Sequence, residues 1–344
     1  MRYKTGMYGG AFDPLHIGHI NCIIEAASVC NDLYVVLSYS RNRDFVPMEI
    51  RYRWLVGSFR HMENVHVILL EDNASTKEEY DNDEYWQNGR DIVTGKIGKP
   101  VDIIFCGSDY SGTDRYEKLY GCDVCYFDRS VIDISSSEIK SNPLQYWNYL
   151  PEICRPYLTK KILFVGSEST GKSTIAKNLA MVYGTNCLEE VGREVCWDAV
   201  QEDMMIESDF HEILIRHKAK EYECLKRSSR ILFEDTDAMT TLWYSGFLLK
   251  SDDEIKRTTI LSEAINEINS FDLIFFMEPT VPFVQDGTRN EKIAENREMY
   301  SRQIKDILEK NDMKYISLNG DSAERFKTAK VIINQTFNIT EVIK

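Results

Sequence analysis

The sequence lacks the features that would place this chain in a membrane, outside the cell or on nucleic acid. No apolar run among its 344 residues is long enough to span a bilayer, and no signal peptide is visible. Basic residues are scarce, since 41 Lys and Arg stand against 55 Asp and Glu, a net charge of −14. That balance argues against a nucleic-acid-binding surface but is compatible with local phosphate sites. We therefore expect a cytoplasmic protein without nucleic-acid or membrane partners.

Cysteine pairs that could build a disulfide framework or a zinc site are also missing. The nine cysteines are odd in number and scattered along the chain. Cys122 and Cys125 form the one C-x-x-C pair, inside "GCDVCYF", a stretch that reads as a strand. Because no second pair completes a zinc set, a metal or redox site there is the minor alternative. We expect reduced thiols, as in the cytosol.

Strands alternate with helical patterns in both halves of the chain. The strand-like segments are "KTGMYGG", "DLYVVLSYS", "NVHVILL", "VDIIFCG" and "CDVCYF", then "KKILFVG", "RILFEDTD", "FDLIFFMEP" and "KYISL". This alternation predicts an α/β protein with two parallel-sheet domains in series. Pro151 and Pro156 bracket a short connection, so the predicted domains are 1–155 and 156–344, each long enough for its own core. The sequence leaves open whether the chain forms a homo-oligomer.

A polar, acidic stretch interrupts the first pattern. "EDNASTKEEYDNDEYWQNG", residues 71–89, reads as a loop but carries Tyr80, Tyr85 and Trp86. One interpretation is a solvated loop anchored by a buried tryptophan. The other is a substrate-binding insertion.

The second half opens with a phosphate-binding loop. "ILFVGSESTGKST" is an apolar strand followed by G-x-x-x-x-G-K-S, and a helical pattern comes next. The glycines let backbone N–H groups wrap a phosphate, and the helix N-terminus adds a favourable dipole. Lys172 would reach the β- and γ-phosphates of ATP, and the Ser173 hydroxyl would ligate Mg²⁺. The other predicted ATP-binding residues of this loop are Gly166, Ser169, Thr170, Gly171 and Thr174.

Carboxylates at a strand end predict the chemistry beside this loop. "RILFEDTD" ends in Glu234, Asp235 and Asp237, and the carboxyl ends of strands in open α/β sheets face the ligand crevice. These acids could hold Mg²⁺ through water, with Asp235 as the metal candidate, or take a proton from an attacking hydroxyl. The alternative is a solvated run of acids.

Two further charged stretches suggest a binding site for the phosphoryl acceptor and a mobile segment that covers the active site. "LEEVGREV" packs Glu190, Arg193 and Glu194 together, which suits either a small polyhydroxylated substrate or a charged helix start. In "VQDGTRNEKIAENREMYSRQIK", Arg289 and Arg297 are candidates for a mobile cover over the transferring phosphoryl group. A plain surface helix with charges at i,i+4 would explain Arg302 of the same stretch equally well. Together these stretches predict a small-molecule kinase.

A second phosphate motif stands at the start of the chain. "GGAFDPLHIGH" carries His16 and His19 in a Gly-rich strand-to-helix turn. H-x-x-H alone does not close a zinc site, whereas imidazoles and a helix N-terminus can stabilise a transferring phosphoryl group. The specific residues of the set are Gly10, Phe12, Pro14, His16, Gly18 and His19.

This set resembles the H-x-G-H signature of the nucleotidyltransferase superfamily, in particular the nicotinamide mononucleotide adenylyltransferases. "ISSSEIK" resembles the superfamily's second signature, I-S-S-T-x-I-R, with Lys140 where the family has Arg. "FCGSDY" resembles its G-x-D stretch. The residues that the resemblance implies for ATP binding are Gly10, Phe12, Gly18, Gly107, Asp109, Ser136, Ser137 and Lys140, with His16 and His19 as catalytic groups.

The order of the motifs resembles the bifunctional NadR-type proteins, which join this adenylyltransferase to ribosylnicotinamide kinase. The resemblance implies a Rossmann-like nucleotidyltransferase domain followed by a P-loop kinase domain, without an N-terminal helix-turn-helix. It implies ATP as co-substrate, Mg²⁺ as cofactor, and nicotinamide riboside, nicotinamide mononucleotide and NAD as ligands. Lys172 with Asp235 or Asp237 would carry phosphoryl transfer. Trp86 would hold the cationic pyridinium ring.

Two alternatives remain at this stage. The chain could be a kinase alone, with a decayed transferase domain. It could also be a sensor that binds NAD or ATP without turnover.

Overall fold

The chain forms two compact units, Met1–Cys154 and Arg155–Lys344. The computed structural model describes residues 2–74, 76–108, 112, 114–198, 204–284, 293 and 295–339. Each unit contains a five-stranded sheet in which all neighbouring strands are parallel. The predicted fold class, two parallel α/β sheets in series, is confirmed. Within the described ranges, none of the helices has the length and apolar character needed to cross a membrane.

The sheet of the N-terminal unit has the strand order β3-β2-β1-β4-β5. Its strands are β1 Tyr3–Gly10, β2 Cys30–Tyr39, β3 Val65–Glu71, β4 Ile103–Gly107 and β5 Asp123–Phe127, and its helices are α1 Ile17–Val29, α2 Met48–Phe59, α3 Lys77–Asp81, α4 Asp83–Ile97, α5 Arg115–Tyr120 and α6 Ser136–Ser141. The chain runs outward from β1 to β2 and β3, then returns to β4 on the other side. Ligands bind open α/β sheets at such a reversal, outside the carboxyl ends of the central strands.

The polar insertion of this unit is helical, so its prediction as a loop was wrong. Residues 77–97 form α3 and α4. Thr76 caps α3 by accepting the backbone N–H of Glu79, and Asn82 caps α4 by accepting that of Glu84. Acidic residues occupy the first turn of both helices, where the helix dipole favours them. These caps outweigh the high polarity of the segment.

The sheet of the C-terminal unit has the order β10-β9-β6-β8-β7. Its strands are β6 Lys160–Val165, β7 Cys187–Leu188, β8 Ile231–Asp235, β9 Leu273–Met277 and β10 Ile316–Leu318. Its helices are α7 Arg155–Leu158, α8 Lys172–Tyr183, α9 Val191–Asp198, α10 Glu207–Arg227, α11 Ala238–Leu248, α12 Asp252–Ile268, α13 Arg297–Lys310 and α14 Ser322–Thr336. The phosphate loop follows the central strand β6, so it opens at the carboxyl edge of the sheet.

Fully buried aromatic rings hold this second sheet against its helices. Phe164 of β6 stacks on Phe275 of β9 with 5.3 Å between ring centroids, and both rings are 0% exposed. Helix α8 packs onto the same cluster through Ile175 and Leu179. The start of α8, and therefore the phosphate loop before it, is fixed by this packing.

Candidate active sites

A cavity of about 270 Å³ lies at the strand reversal of the N-terminal unit. Most of the predicted transferase residues line it: Gly10, Phe12, His16, Gly18, His19, Gly107, Ser136 and Ser137. Two segments that are more than a hundred residues apart in sequence therefore meet at one cavity. The hydroxyl of Ser136 donates to the carbonyl oxygen of Pro14 at 3.3 Å and joins the two segments directly.

The two histidines form one compact unit in this cavity. Their rings stack at 3.6 Å between centroids, and Phe12 meets His19 edge-on at 5.0 Å. A Cβ on Gly18 would lie 3.0 Å from Nδ1 of His16, so glycine at this position lets the His16 ring pack closely. Helix α1 begins at Ile17, directly after His16. The first N–H groups of α1 and two imidazoles thus come together beside the cavity, an arrangement suited to phosphate.

Lys140 is held by an acid that the sequence analysis passed over. Its Nζ lies 2.7 Å from Oδ2 of Asp13, which is almost fully buried. The same carboxylate accepts the backbone N–H groups of Phe45 and Val46, each at 2.9 Å. Asp13 therefore joins the H-x-G-H turn, the loop before α2 and helix α6. Lys140 does not line the cavity, and its contact with ATP stays a prediction.

Trp86 lies outside the residues that line this cavity. Its Nε1 donates to the carbonyl oxygen of Tyr80 at 2.6 Å, and Arg115 lies 5.0 Å above its ring. Tyr116 meets the same ring edge-on at 5.7 Å. These contacts join α3, α4 and α5, as the alternative of an anchoring tryptophan describes, while a role in binding the pyridinium stays a prediction. Asp109 lies outside the described residues.

A second cavity, of about 310 Å³, lies at the phosphate loop of the C-terminal unit. The predicted residues that line it are Ser169, Thr170, Gly171, Lys172, Ser173, Thr174, Glu190 and Arg193. Lys172 Nζ donates to the carbonyl oxygens of Gly166 at 3.0 Å and Ser167 at 3.1 Å. The ammonium thus lies across the mouth of the loop, where the phosphates of a nucleotide would replace those carbonyls as its partners.

Gly166 begins the loop in a conformation open only to glycine. Its φ is +146°, and a Cβ there would lie 2.7 Å from the carbonyl oxygen of Met277. We expect Gly166→Ala to destabilise the protein by about 1–3 kcal/mol. Gly246→Ala, on the exposed face of α11 with no atom within 4 Å of the added Cβ, should stabilise it by about 0.5–1 kcal/mol. Urea unfolding of both variants checks this, and equal stability of the two would contradict it.

Of the strand-end acids, Asp235 is the one aimed at the phosphate loop. It lies opposite Phe164 in the strand register and is 1% exposed. Burial raises the pKa of Asp235, while the charge of Lys172 and a hydrogen bond from Ser173 oppose that rise. Asp237 instead caps α11, because its Oδ1 accepts the backbone N–H of Thr240 at 3.0 Å and its hydroxyl at 2.7 Å. Neither acid lines the cavity itself, although the intervening Thr236 does.

The acids and the arginine of "LEEVGREV" separate in the structure. Glu190 and Arg193 face the cavity, 3.9 Å apart, and burial together with the charge of Asp235 raises the pKa of Glu190. Glu194 lies outside the lining and pairs with Arg216 and Lys220 of α10, each at 2.7 Å. Helix α9 therefore presents a cavity face and a surface face.

The structure describes only part of the segment that was predicted to cover the active site. Arg289 lies outside the described residues. Arg297 donates to the carbonyl oxygens of Val281 at 2.7 Å and Ser169 at 3.1 Å, so it contacts the phosphate loop from the N-terminus of α13. A motion of this segment over ATP stays a prediction.

Sequence reasoning missed several polar residues of the second cavity, Glu168 and His217 among them. Glu168 lies inside the phosphate loop, and the hydroxyl of Tyr244 donates to its Oε1 at 3.2 Å. His217 of α10 also lines the cavity, and burial lowers its pKa to about 4, so the imidazole is neutral. Glu168 stood in the loop motif as an unspecified position. His217 stands on a long charged helix that also carries His211, and neither histidine belongs to a recognisable motif.

Two family models match the chain in successive blocks. A cytidylyltransferase-like model matches residues 7–142, and an AAA domain model matches residues 161–325. The first block contains the paired histidines, and the second contains the phosphate loop.

Curated relatives resemble the chain along most of its length. The trifunctional NAD biosynthesis/regulator protein NadR of Escherichia coli (strain K12) is 27% identical over 327 residues, which cover 90% of this chain and 78% of the relative. NadR of Salmonella typhimurium (strain LT2) is 27% identical over 329 residues, covering 91% and 78%. A phosphopantetheine adenylyltransferase of Streptococcus pneumoniae (strain Hungary19A-6) is 36% identical over 73 residues, which cover 21% of this chain and 45% of that enzyme.

Solved structures show the same fold. A crystal structure of NadR protein in complex with NR and one in complex with NAD and AMP-PNP each match at a TM-score of 0.82 and 22% identity. Each match covers 98% of this chain and 97% of the other. The chain therefore resembles NadR along most of its length and has the fold of the NadR structures, with a match to the cytidylyltransferase-like model ahead of a match to the AAA model, as the resemblance of its motifs predicted.

Proposed function

We propose that this chain makes NAD from nicotinamide riboside in two consecutive reactions. Residues 156–344 act as a ribosylnicotinamide kinase, and residues 1–155 act as a nicotinamide-nucleotide adenylyltransferase. The observation that carries the proposal is that one chain holds two separate cavities, one beside paired histidines and one beside a P-loop. The relatives named NadR are NAD biosynthesis proteins, and NadR crystals contain NR, NAD and AMP-PNP.

In the kinase reaction, the riboside 5′-hydroxyl attacks the γ-phosphorus of ATP, the bond from that phosphorus to the β,γ-bridging oxygen breaks, and ADP leaves. Lys172 turns from its carbonyl partners to the β- and γ-phosphates and offsets the charge that develops there. The attacking hydroxyl loses its proton to a carboxylate. Asp235 and Asp237 are the two candidates for this proton acceptor: Asp235 lies beside Lys172 and Ser173, whereas one oxygen of Asp237 is committed to the cap of α11.

The same residues fit a magnesium ion that arrives with the nucleotide. No group of three or more protein ligands that could hold a metal by itself occurs in the described part of the chain. A nucleotide-bound ion needs fewer, and the Ser173 hydroxyl with the buried Asp235 carboxylate supplies hard oxygen ligands of the kind Mg²⁺ prefers. When bound, Mg²⁺ neutralises phosphate charge.

In the transferase reaction, the phosphate of the mononucleotide attacks the α-phosphorus of a second ATP, and pyrophosphate leaves. His16, His19, the first N–H groups of α1 and the serines at the start of α6 donate hydrogen bonds to the phosphates. No covalent intermediate is required, since the residues around the cavity act by positioning and by stabilising charge.

We expect Asp13→Asn to weaken the transferase selectively. Losing the charge that holds Lys140 removes a hydrogen-bonded ion pair of about 1.5–3 kcal/mol, and kcat/KM for ATP in adenylyl transfer should fall by about tenfold. Lys140→Arg keeps the ion pair and should stay near wild type. Steady-state assays of both variants check this. A loss in Lys140→Arg as large as that in Asp13→Asn would contradict the inference that Asp13 serves adenylyl transfer by positioning Lys140.

Incubation of the purified chain with nicotinamide riboside, ATP and Mg²⁺ tests the proposed function. Chromatography should show the mononucleotide first and NAD after it. Mononucleotide that accumulates without NAD would mean a kinase alone. Binding of ATP without either product would mean a sensor.

A further inference from the structure

A buried arginine of the last helix donates a hydrogen bond to the backbone of the phosphate loop. Arg325 lies on α14, 155 residues from Thr170, and is 1% exposed. Its Nη1 donates to the carbonyl oxygen of Thr170 at 2.7 Å. Its Nη2 donates to the carbonyl oxygen of Glu278 at 2.6 Å and to the hydroxyl oxygen of Thr280 at 2.5 Å. These three acceptors offset much of the cost of burying a guanidinium at this depth, although its Nε–H has no hydrogen-bond partner among the described residues.

The bond to Thr170 fixes the direction of one phosphate-binding N–H. The peptide between Thr170 and Gly171 is planar, so its C=O and N–H point in opposite directions. With the carbonyl held by Arg325 on the inner side, the N–H of Gly171 points the other way. Gly171 lines the cavity and has a φ of +87°, a residue with little intrinsic backbone restriction. Because the backbone at Gly171 can adopt several conformations, the hydrogen bond from Arg325 can select one of them.

Arg297 makes the equivalent contact one peptide earlier. Its Nη2 donates to the carbonyl oxygen of Ser169 at 3.1 Å and so holds the peptide between Ser169 and Thr170. Ser169 itself has a φ of +56°, which non-glycine residues adopt only when their surroundings impose it. Two arginines from two C-terminal helices thus hold two successive peptides of the loop.

We propose that Arg325 is a positioning residue of the kinase: it acts through the Thr170–Gly171 peptide to preorganise the backbone N–H that receives the phosphates of ATP. It does not touch the nucleotide. This inference rests on the kinase function proposed above. The simpler alternative is that Arg325 only joins α14 to the segment after β9 through Glu278 and Thr280.

Riboside phosphorylation by the full-length Arg325→Met variant tests the proposal, measured as the sum of mononucleotide and NAD formed. We expect kcat/KM for ATP to fall by about 10²-fold, the size of effect that a misplaced phosphate donor produces. The KM for the riboside should stay within about twofold of wild type. Lys327→Met, an exposed residue of the same helix, is the matched control and should leave both constants unchanged.

Two further variants separate positioning from stability. Thr280→Val removes one acceptor of Arg325 but leaves the bond to Thr170, so it should lower the unfolding temperature without changing the ATP kinetics. Arg325→Lys keeps one charged donor and should recover part of the ATP kinetics, which decides the question if the methionine variant does not fold.

Three results would overturn the inference. They are equal losses for ATP and riboside in Arg325→Met (or in Arg325→Lys if the methionine variant does not fold), an ATP defect in Thr280→Val as large as that in Arg325→Met, or a folded Arg325→Lys that recovers none of the ATP kinetics lost in Arg325→Met. A wild-type chain that phosphorylates no riboside would instead refute the proposed kinase function.

Discussion

Lys172→Ala is expected to lower the rate of riboside phosphorylation by about 10²–10³-fold, because it removes the side-chain cation that we propose stabilises the β- and γ-phosphates. NAD formation from supplied mononucleotide should continue at the wild-type rate, since the paired histidines line a different cavity in the other unit. Both half-reactions are measured separately by chromatography of the products.

The control for this prediction is another lysine of the same unit. Lys256 lies exposed on α12 and lines neither cavity, so Lys256→Ala should leave both reactions unchanged. If Lys172→Ala abolished both half-reactions while the protein still unfolded cooperatively, the two sites would not be independent.

His19→Ala should produce the opposite pattern. Adenylyl transfer should fall by about 10²–10³-fold, the usual cost of removing one preorganised donor to a transferring phosphoryl group. The mononucleotide should then accumulate when riboside and ATP are supplied, because the kinase keeps its own lysine and acids. His61→Ala, at an exposed position of the same unit, is the matched variant, and a comparable loss of NAD formation in it would refute a specific role of His19.

The parts of both sites that could be predicted from sequence are those whose chemistry is local. Gly166, Gly171 and Lys172 lie within seven consecutive residues, and a strand before them with a helix after them fixes their geometry. The paired histidines are likewise close in sequence, and one glycine between them lets His16 pack. The spacing of residues close in sequence was therefore enough to predict both phosphate sites. The alternation of strands and helices was enough to predict the two sheets.

The parts that could not be predicted depend on contacts between distant segments. Asp13 meets the backbone of Phe45 and Val46 across more than thirty residues, and Arg325 reaches Thr170 across 155. Each looks like an ordinary charged residue in its own segment. Glu194 shows the reverse error, because a stretch that clusters charges in sequence is divided by the helix into a cavity face and a surface face.

The prediction of residues 71–89 as a loop was wrong for a related reason. The segment lacks an apolar periodicity in its first half, so its helices are set by caps at Thr76 and Asn82 rather than by a buried face. Cap signals are single residues and are easily read as turn residues.

Mixing the two variants tests the central claim, that one chain carries two complete and independent sites for consecutive reactions. Lys172→Ala and His19→Ala are combined at equal concentration with nicotinamide riboside, ATP and Mg²⁺, and the mononucleotide and NAD are followed over time. We expect that neither variant alone makes NAD from riboside at an appreciable rate, and that the mixture does so after a lag in which the mononucleotide passes between molecules. A mixture that makes no more NAD than the separate variants, although each retains its own half-reaction, would contradict it.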